Sequence, residues 1–165
     1  MVDAQILERI DIFCDLTREQ LERIFTVCQQ VVYFRGELIF AENSPSTEIY
    51  VILDGEVAIE IDPDLVGAGD RHQPPDTIAI LRPGQSFGEI ALVDQGLRSA
   101  SARCNTMLCK VLVISRQDLM GLLKEDHEMG FIIMGNLARD LCLKLRLSNL
   151  NMREALLNLP RKQKG

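Results

Sequence analysis

The chain has no tryptophan, two tyrosines and two histidines, His72 and His127, among its 165 residues. So few imidazoles leave little material for acid–base catalysis by histidine. His127 lies in a charged run, Lys124-Glu125-Asp126-His127-Glu128, that is typical of a solvated helix end. The sequence also has no nucleophile–base signature, no zinc-ligand spacing and no Walker-type nucleotide loop. We therefore predict that the protein is not an enzyme and holds no metal ion and no cofactor.

Long apolar runs are also absent, and none reaches the roughly 18 residues of a membrane span. Residues 1–5 lack the basic and apolar regions of a signal peptide. The cysteine count is odd and includes no Cys-x-x-Cys pair, which favours free thiols in a reducing compartment. These features predict a cytoplasmic protein without membrane contact. The cysteines are Cys14, Cys28, Cys104, Cys109 and Cys142. We expect Cys104 and Cys109 to be neighbours on a hairpin around Asn105-Thr106 that serve ordinary packing, with redox or metal chemistry as the alternative.

Positive charge is in the minority, since 18 Lys and Arg stand against 24 Asp and Glu, for a formal net charge of −6. An acidic surface disfavours non-specific contact with nucleic acid, because the phosphates dominate that affinity. Hydrophobic residues make up 47% of the chain. The chain is therefore expected to form one domain with a substantial core.

The middle of the chain alternates β-rich runs with turn residues. Asp54-Gly55 separates the runs 48–53 and 56–61, and a two-residue Asp-Gly link predicts a hairpin. Short strands at near-regular spacing favour an antiparallel roll or barrel. The other predicted strands cover residues 31–34, 38–40, 77–81, 101–104 and 108–114. The irregular segment 62–76, which contains His72, is interpreted as a surface loop, with a partner contact or a ligand role for the lone histidine as alternatives.

Helical patterns flank this β section. Thr17-Arg18-Glu19-Gln20 is a capping-box pattern that opens a helix. Ser115 is typical of the N-cap of a short helix over 116–124. A long helix is predicted from Glu128 to Leu159 and ends at Pro160. At about 30 residues it spans roughly 45 Å, which is more than the core needs.

Two apolar stripes run along this long helix. One can pack on the β section, and the other can pair with a second copy as a coiled-coil seam that Ser148 and Ala155 weaken. We predict a homodimer, with burial against the protein's own core or a different partner as alternatives. The first stripe contains Ala138, Leu141, Leu145, Ser148, Met152, Ala155 and Leu159, and the second contains Leu143, Leu147, Leu150 and Leu157.

The most specific pattern is at residues 87–101, Phe-Gly-Glu-Ile-Ala-Leu-Val-Asp-Gln-Gly-Leu-Arg-Ser-Ala-Ser. Gly88 lets the backbone approach a ligand, because it has no Cβ. Residues 89–93 can form a short helical turn whose N–H groups suit an anion, and Arg98 can reach the same anion. Glu89 would repel a phosphate but suits a neighbouring ribose hydroxyl. The pattern indicates a pocket for a cyclic phosphate attached to a ribose.

This segment resembles the phosphate-binding cassette of the cyclic nucleotide-binding domain family, which includes catabolite activator proteins, regulatory subunits of cyclic-nucleotide-dependent kinases and nucleotide-gated channels. The match rests on Phe-Gly-Glu-aliphatic-Ala-Leu followed by Arg-Ser-Ala-Ser. Gly36-Glu37, the run 50–55 and Pro83-Gly84 are further landmarks, so the resemblance covers roughly residues 15–145. Leu97 departs from the pattern where kinase-type members often carry proline, which loosens the loop but removes no ligand group.

The resemblance implies a fold that is mainly β with flanking helices. We expect an antiparallel double-stranded β-helix, a jelly-roll-like β-roll, between N-terminal helices and the long C-terminal helix. The chain would divide into helices over 1–30, the β-roll over 31–114 with the cassette at 87–101, and helices over 115–160. Together these form a single cyclic nucleotide-binding domain.

The resemblance also implies a ligand, cAMP or cGMP. Glu89 would bind the ribose 2′-hydroxyl and Arg98 the cyclic phosphate, while the amides of Ala91 and Ser99, and the Ser99 hydroxyl, complete the phosphate cradle. The implied site residues are Gly88, Glu89, Ile90, Ala91, Arg98, Ser99 and Ala100. The long helix also touches the base in this family, and the candidates here are Asn136, Arg139, Asp140 and Lys144.

Two functions remain open. The first is a nucleotide sensor that signals to a protein partner, or across a dimer, by repositioning its C-terminal helix. The second is a degenerate domain that dimerises or interacts without nucleotide. For the pair Glu89 and Arg98 itself, the alternative to ligand binding is a mutual salt bridge that only stiffens the loop. Catabolite activators dimerise through the long helix and continue into a helix-turn-helix domain. This sequence ends at Gly165, so direct DNA binding is not expected.

Overall fold

The computed structural model describes residues 4–62, 74–94 and 96–158, which form two four-stranded antiparallel sheets flanked by helices. One sheet has the strand order β1-β8-β3-β6 and the other β2-β7-β4-β5. This arrangement confirms the predicted β-roll with flanking helices. The strands are β1 Cys28–Phe34, β2 Leu38–Phe40, β3 Glu48–Asp54, β4 Val57–Ile61, β5 Asp76–Leu81, β6 Ser86–Phe87, β7 Ser101–Cys104 and β8 Leu108–Ser115.

Helices precede and follow the sheets. Two short 3₁₀ helices, Ala4–Arg9 and Asp11–Phe13, lead into α1, Arg18–Phe25. The predicted capping box of α1 is confirmed, because the Thr17 hydroxyl accepts from the Gln20 amide at 3.3 Å and the Gln20 side chain accepts from the Thr17 amide at 3.0 Å. The one-turn helix α2, Ile90–Val93, lies between β6 and β7, and α3, Arg116–Glu125, and α4, His127–Asn158, follow β8.

The central strand β3 separates two cores. Ile49 and Val51 belong to a core that joins the first sheet to the flanking helices. Tyr50 and Ile52 point the other way, as the period of a strand requires, into a second core that also contains residues of the other sheet. Because both faces of β3 are covered, its four residues Ile49 to Ile52 are all buried. The second core also contains Phe87, which places the start of the cassette against the sheet.

The hairpin predicted at Asp54-Gly55 is wrong. β3 pairs with β6 and β8, whereas β4 pairs with β5 and β7, so this turn carries the chain from one sheet to the other. Gly55 has a φ of +83°, and a Cβ there would collide with the carbonyl oxygen of Leu108. A tight glycine turn is needed for either connection, which is why the local sequence does not distinguish them.

The link between β7 and β8 also joins strands of different sheets, so Cys104 and Cys109 do not lie on one hairpin. They are nevertheless neighbours as predicted, with their Sγ atoms 2.8 Å apart. Both thiols are buried, and burial raises the pKa of Cys104 to about 12. All five cysteines are free.

The predicted long helix is confirmed by α4, whose 32 residues span about 48 Å. Its first part packs on the core through Met129, Ile133 and Leu137. Beyond Leu141, the described leucine and methionine side chains of both apolar stripes are exposed, including Leu145 at 62%, so the expectation that one stripe packs on the β section is wrong there. No helix in the described part of the chain is long and apolar enough to cross a membrane.

Some predictions fall on residues that the structure does not describe. These are most of the loop at 62–76 with His72, and the helix end at Leu159 and Pro160. The division of the chain near residues 30 and 115 stays a prediction.

Candidate functional site

The cassette begins where β6 joins β3, with Phe87 opposite Tyr50 in the antiparallel register. Gly88 follows with a φ of +70°, a conformation that side chains with a Cβ rarely adopt. A Cβ on Gly88 would lie 2.5 Å from Nη1 of Arg98 and 3.2 Å from the carbonyl oxygen of Glu48. The glycine is therefore needed for the backbone to bend and for the guanidinium to fit beside it.

Arg98 is buried, with only 4% of its surface exposed. Its Nη2 donates to the carbonyl oxygen of Glu48 at 2.8 Å and lies 3.4 Å from the Glu48 carboxylate, and its Nη1 donates to the carbonyl oxygen of Gly88 at 3.3 Å. Burial lowers the pKa of Arg98, and its interactions with Tyr50, Glu48 and Glu89 oppose that effect. Its Nε is buried without a hydrogen-bond partner among the described residues. Such an unpaired donor costs about 1–3 kcal/mol, so the site favours an added acceptor.

Aromatic rings form the wall beside this guanidinium. The Cζ atom of Arg98 lies 4.1 Å from the ring centroid of Phe40 and 5.6 Å from that of Tyr50. Tyr50 stacks on Phe87 with centroids 5.0 Å apart. Burial and the nearby Glu48 raise the pKa of Tyr50 to about 12, so this phenol stays neutral at physiological pH. Phe40, Tyr50 and Glu48 are site residues that the sequence alone does not reveal, because no local pattern links them to Arg98, which is 50 residues from Glu48 along the chain.

The backbone at Arg98 is fixed by the segment after β2. The Arg98 amide donates to the carbonyl oxygen of Ser44 at 2.9 Å, and the Asn43 amide donates to the carbonyl oxygen of Arg98 at 2.8 Å. Leu97 forms an isolated β-bridge with Pro45. The loop in which leucine stands in place of proline is therefore held by backbone pairing.

Glu89, the other predicted anchor, is 6% exposed and bonds to the long helix. Lys144 of α4 places its Nζ 3.0 Å from Oε1 of Glu89, 3.2 Å from the carbonyl oxygen of Ser86 and 2.8 Å from Oδ2 of Asp140. Burial lowers the pKa of Lys144, but the charges and hydrogen bonds of Glu89 and Asp140 outweigh burial, and the net effect is a raised pKa. The ammonium is thus a stable cation between two carboxylates.

The two anchors have different partners. Among the described residues, Arg98 pairs with Glu48 and Glu89 pairs with Lys144, and the mutual salt bridge considered for Glu89 and Arg98 is not found. The remaining predicted site residues surround them unevenly. The Ala91 amide donates to the Gly88 carbonyl at 3.2 Å, Ile90 is 41% exposed, Ser99 is exposed and Ala100 is half-buried.

The four base-contact candidates on α4 separate into two pairs. Asn136 is buried and donates to the carbonyl oxygens of Cys14 at 2.7 Å and Ile12 at 3.3 Å, and Arg139 donates to the Asn136 side chain at 2.7 Å. The two hydrogen bonds that Asn136 donates tie α4 to the second 3₁₀ helix, Asp11–Phe13, and its C-cap residue Cys14. Lys144 instead contacts Glu89 of the cassette, and Asp140 pairs with Lys144. In the described ranges, no group of three or more His, Cys, Asp or Glu side chains is arranged to hold a metal ion.

The fold and the cassette define a family, and the chain belongs to it. The sequence model of the cyclic nucleotide-binding domain matches residues 30–126, which is more than half of the chain and includes the whole cassette. The resemblance inferred from residues 87–101 is therefore confirmed.

Particular relatives are similar over most of this chain. The CRP-like cAMP-activated global transcriptional regulator of Mycobacterium tuberculosis is 27% identical over 90% of this chain and 61% of its own length. The cGMP-dependent protein kinase 2 of Homo sapiens is 26% identical over 81% of this chain and 17% of its own length. The solved structure of the Thermus thermophilus catabolite activator protein has a TM-score of 0.70 at 26% identity, covering 88% of this chain and 62% of that one. The chain thus spans less than two thirds of each of these proteins.

Proposed function

We propose that this protein is a sensor that binds cAMP or cGMP in the cassette and signals by repositioning α4. The observation that carries the proposal is the buried Arg98 guanidinium beside Gly88, whose Nε lacks an acceptor among the described residues. A cyclic phosphate supplies acceptor oxygens and a negative charge, which together offset the cost of burying this cation. The names of the relatives, one cAMP-activated and one cGMP-dependent, support the same ligand class.

The proposed contacts assign one role to each anchor. Arg98 binds the cyclic phosphate, and the amides of Ala91 and Ser99 complete the phosphate cradle. Glu89 accepts a hydrogen bond from the ribose 2′-hydroxyl. In support of this assignment, both anchors are buried and have separate partners, so each can exchange its partner for a ligand group.

Signalling requires two arrangements of α4 with different affinities for the nucleotide. The contact between Lys144 and Glu89 gives the helix a direct link to the pocket. We propose that the exposed part of α4 pairs with a second copy of the chain, since it presents several large apolar side chains that the described residues leave exposed. They are Leu143, Leu145, Leu147, Leu150, Met152 and Leu157.

The test is isothermal titration of cAMP and of cGMP into protein that has been emptied of ligand by unfolding and refolding. The Arg98→Ala variant should lose about 30-fold or more in affinity, the scale of removing one side of a buried charge pair. Arg82→Ala is the matched control, because Arg82 is exposed and pairs with Glu56 outside the cassette. Saturation by wild type with loss in Arg98→Ala supports the sensor. If neither nucleotide binds to the folded protein, the sensor is rejected and the degenerate interaction domain is favoured.

A further inference from the structure

Glu89 is already occupied by a side chain of α4. Its carboxylate is buried and bonds to the Lys144 ammonium at 3.0 Å, across 55 residues of sequence. The same ammonium also bonds to the Ser86 carbonyl at 3.2 Å, directly before the cassette. A ribose hydroxyl that approaches Glu89 therefore meets a charged donor that is in place before the ligand arrives.

We propose that Lys144 is an internal lock on Glu89, which the ribose 2′-hydroxyl of the ligand must displace. The inference rests on the proposed function. A charged N–H donor makes a hydrogen bond to a carboxylate that is roughly twice as strong as one from a neutral donor. The ribose hydroxyl alone is therefore too weak a donor to replace the Lys144 ammonium on Glu89. The phosphate contact with Arg98 supplies the remaining free energy. Binding is then coupled to α4 through one ion pair.

Asp140 remains a partner of the Lys144 ammonium after the ammonium leaves Glu89. It lies one turn before Lys144 on α4, with its Oδ2 2.8 Å from the Lys144 Nζ, and its side chain is 17% exposed. When Lys144 leaves Glu89, the ion pair with Asp140 spares it the cost of an unpaired, half-buried charge. The released helix carries this local pair with it, and the contact with the cassette is lost.

The lock predicts opposite effects for two neutralising substitutions. Lys144→Met removes the competitor and should tighten cyclic nucleotide binding by about tenfold, which corresponds to one charge-assisted hydrogen bond. Asp140→Asn removes the remaining charged partner of the displaced ammonium and should weaken cyclic nucleotide binding by about threefold or more. General structural damage would instead move both affinities downward.

A ligand without the competing hydroxyl isolates the exchange. The 2′-deoxy analogue of the cyclic nucleotide that wild type binds cannot displace Lys144 from Glu89. Its affinity should therefore differ by less than about twofold between wild type and Lys144→Met, while the affinity for the parent nucleotide rises. Arg146→Met is the charge control, since it removes a cation from an exposed position of α4 two residues further on, and it should leave both affinities unchanged.

The outcomes separate the lock from the sensor itself. If no nucleotide binds to wild type or to Lys144→Met, the proposed function is wrong and the lock with it. If wild type binds but Lys144→Met binds more weakly or equally, Lys144 stays on Glu89 as a positioning residue and the lock is rejected. Lys144→Arg keeps the ion pair and should bind close to wild type, and thermal unfolding of each variant confirms that the comparison concerns folded protein.

Discussion

Arg98 donates from Nη1 to the carbonyl oxygen of Gly88 at 3.3 Å, and a Cβ on Gly88 would lie 2.5 Å from that same nitrogen. The position also has a φ of +70°. Gly88→Ala should therefore lower the free energy of unfolding by about 1–2 kcal/mol, because the left-handed conformation is strained for alanine. It should also displace the guanidinium and weaken nucleotide binding. Urea unfolding and titration with the nucleotide that wild type binds measure the two effects.

Gly121→Ala is the matched control for this substitution. Gly121 lies within α3 with nothing near the position of an added Cβ, and its φ is ordinary for a helix. The alanine should stabilise the protein by about 0.4–1 kcal/mol and leave nucleotide binding unchanged. A Gly88→Ala variant that binds and unfolds like wild type would remove the steric argument for this glycine.

The side chain of Asn136 fixes the first half of α4 to the second 3₁₀ helix, Asp11–Phe13. It donates to the carbonyl oxygens of Cys14 and Ile12 and accepts from Arg139, and it is 5% exposed. Asn136→Ala should destabilise the fold by about 1–3 kcal/mol, because the buried carbonyl of Ile12 and the half-buried carbonyl of Cys14 lose their donor. Chemical denaturation followed by circular dichroism measures the change. Asn149→Ala, at an exposed position of the same helix, should cost less than about 0.5 kcal/mol, and equal losses would contradict the assigned role of Asn136.

Local signals account for what the sequence predicts well. Thr17 and Gln20 are three residues apart, and their capping box is visible in the sequence alone. The cassette is likewise contiguous. The contacts that complete the site are not, since Arg98 finds Glu48 across 50 residues and Glu89 finds Lys144 across 55. These pairings depend on how two sheets and α4 are stacked, and no spacing along the chain encodes them. Asp54-Gly55 shows the same limit, because a turn of the right geometry does not reveal which sheet the next strand joins.

The thiols should differ sharply in reactivity. Cys142 is exposed, whereas Cys104 is buried, and burial raises the pKa of Cys104 to about 12 and that of Cys28 also to about 12. Because the thiolate is the reactive form, Cys104 and Cys28 should resist an alkylating reagent near neutral pH while Cys142 is modified first. Mass spectrometry of timed samples identifies the order. Cys142→Ser should remove the fast phase, and rapid labelling of Cys104 in folded protein would show that its environment is open to solvent.

The exposed face of α4 gives the last prediction, which tests the proposed homodimer. Leu143 and Leu150 are seven residues apart, 57% and 52% exposed, and therefore lie on one side of the helix. Burying such side chains against a second copy contributes about 1.5–3 kcal/mol each, so placing a charge at both positions should abolish pairing. In sedimentation, wild type should have twice the chain mass of 18.6 kDa. The double variant Leu143→Asp with Leu150→Asp should have the mass of a single chain. Met107→Asp is the control, since Met107 is 79% exposed in the link between β7 and β8 and is not part of α4. A wild-type protein that sediments as a monomer, or a double variant that stays dimeric, would reject this face as the interface.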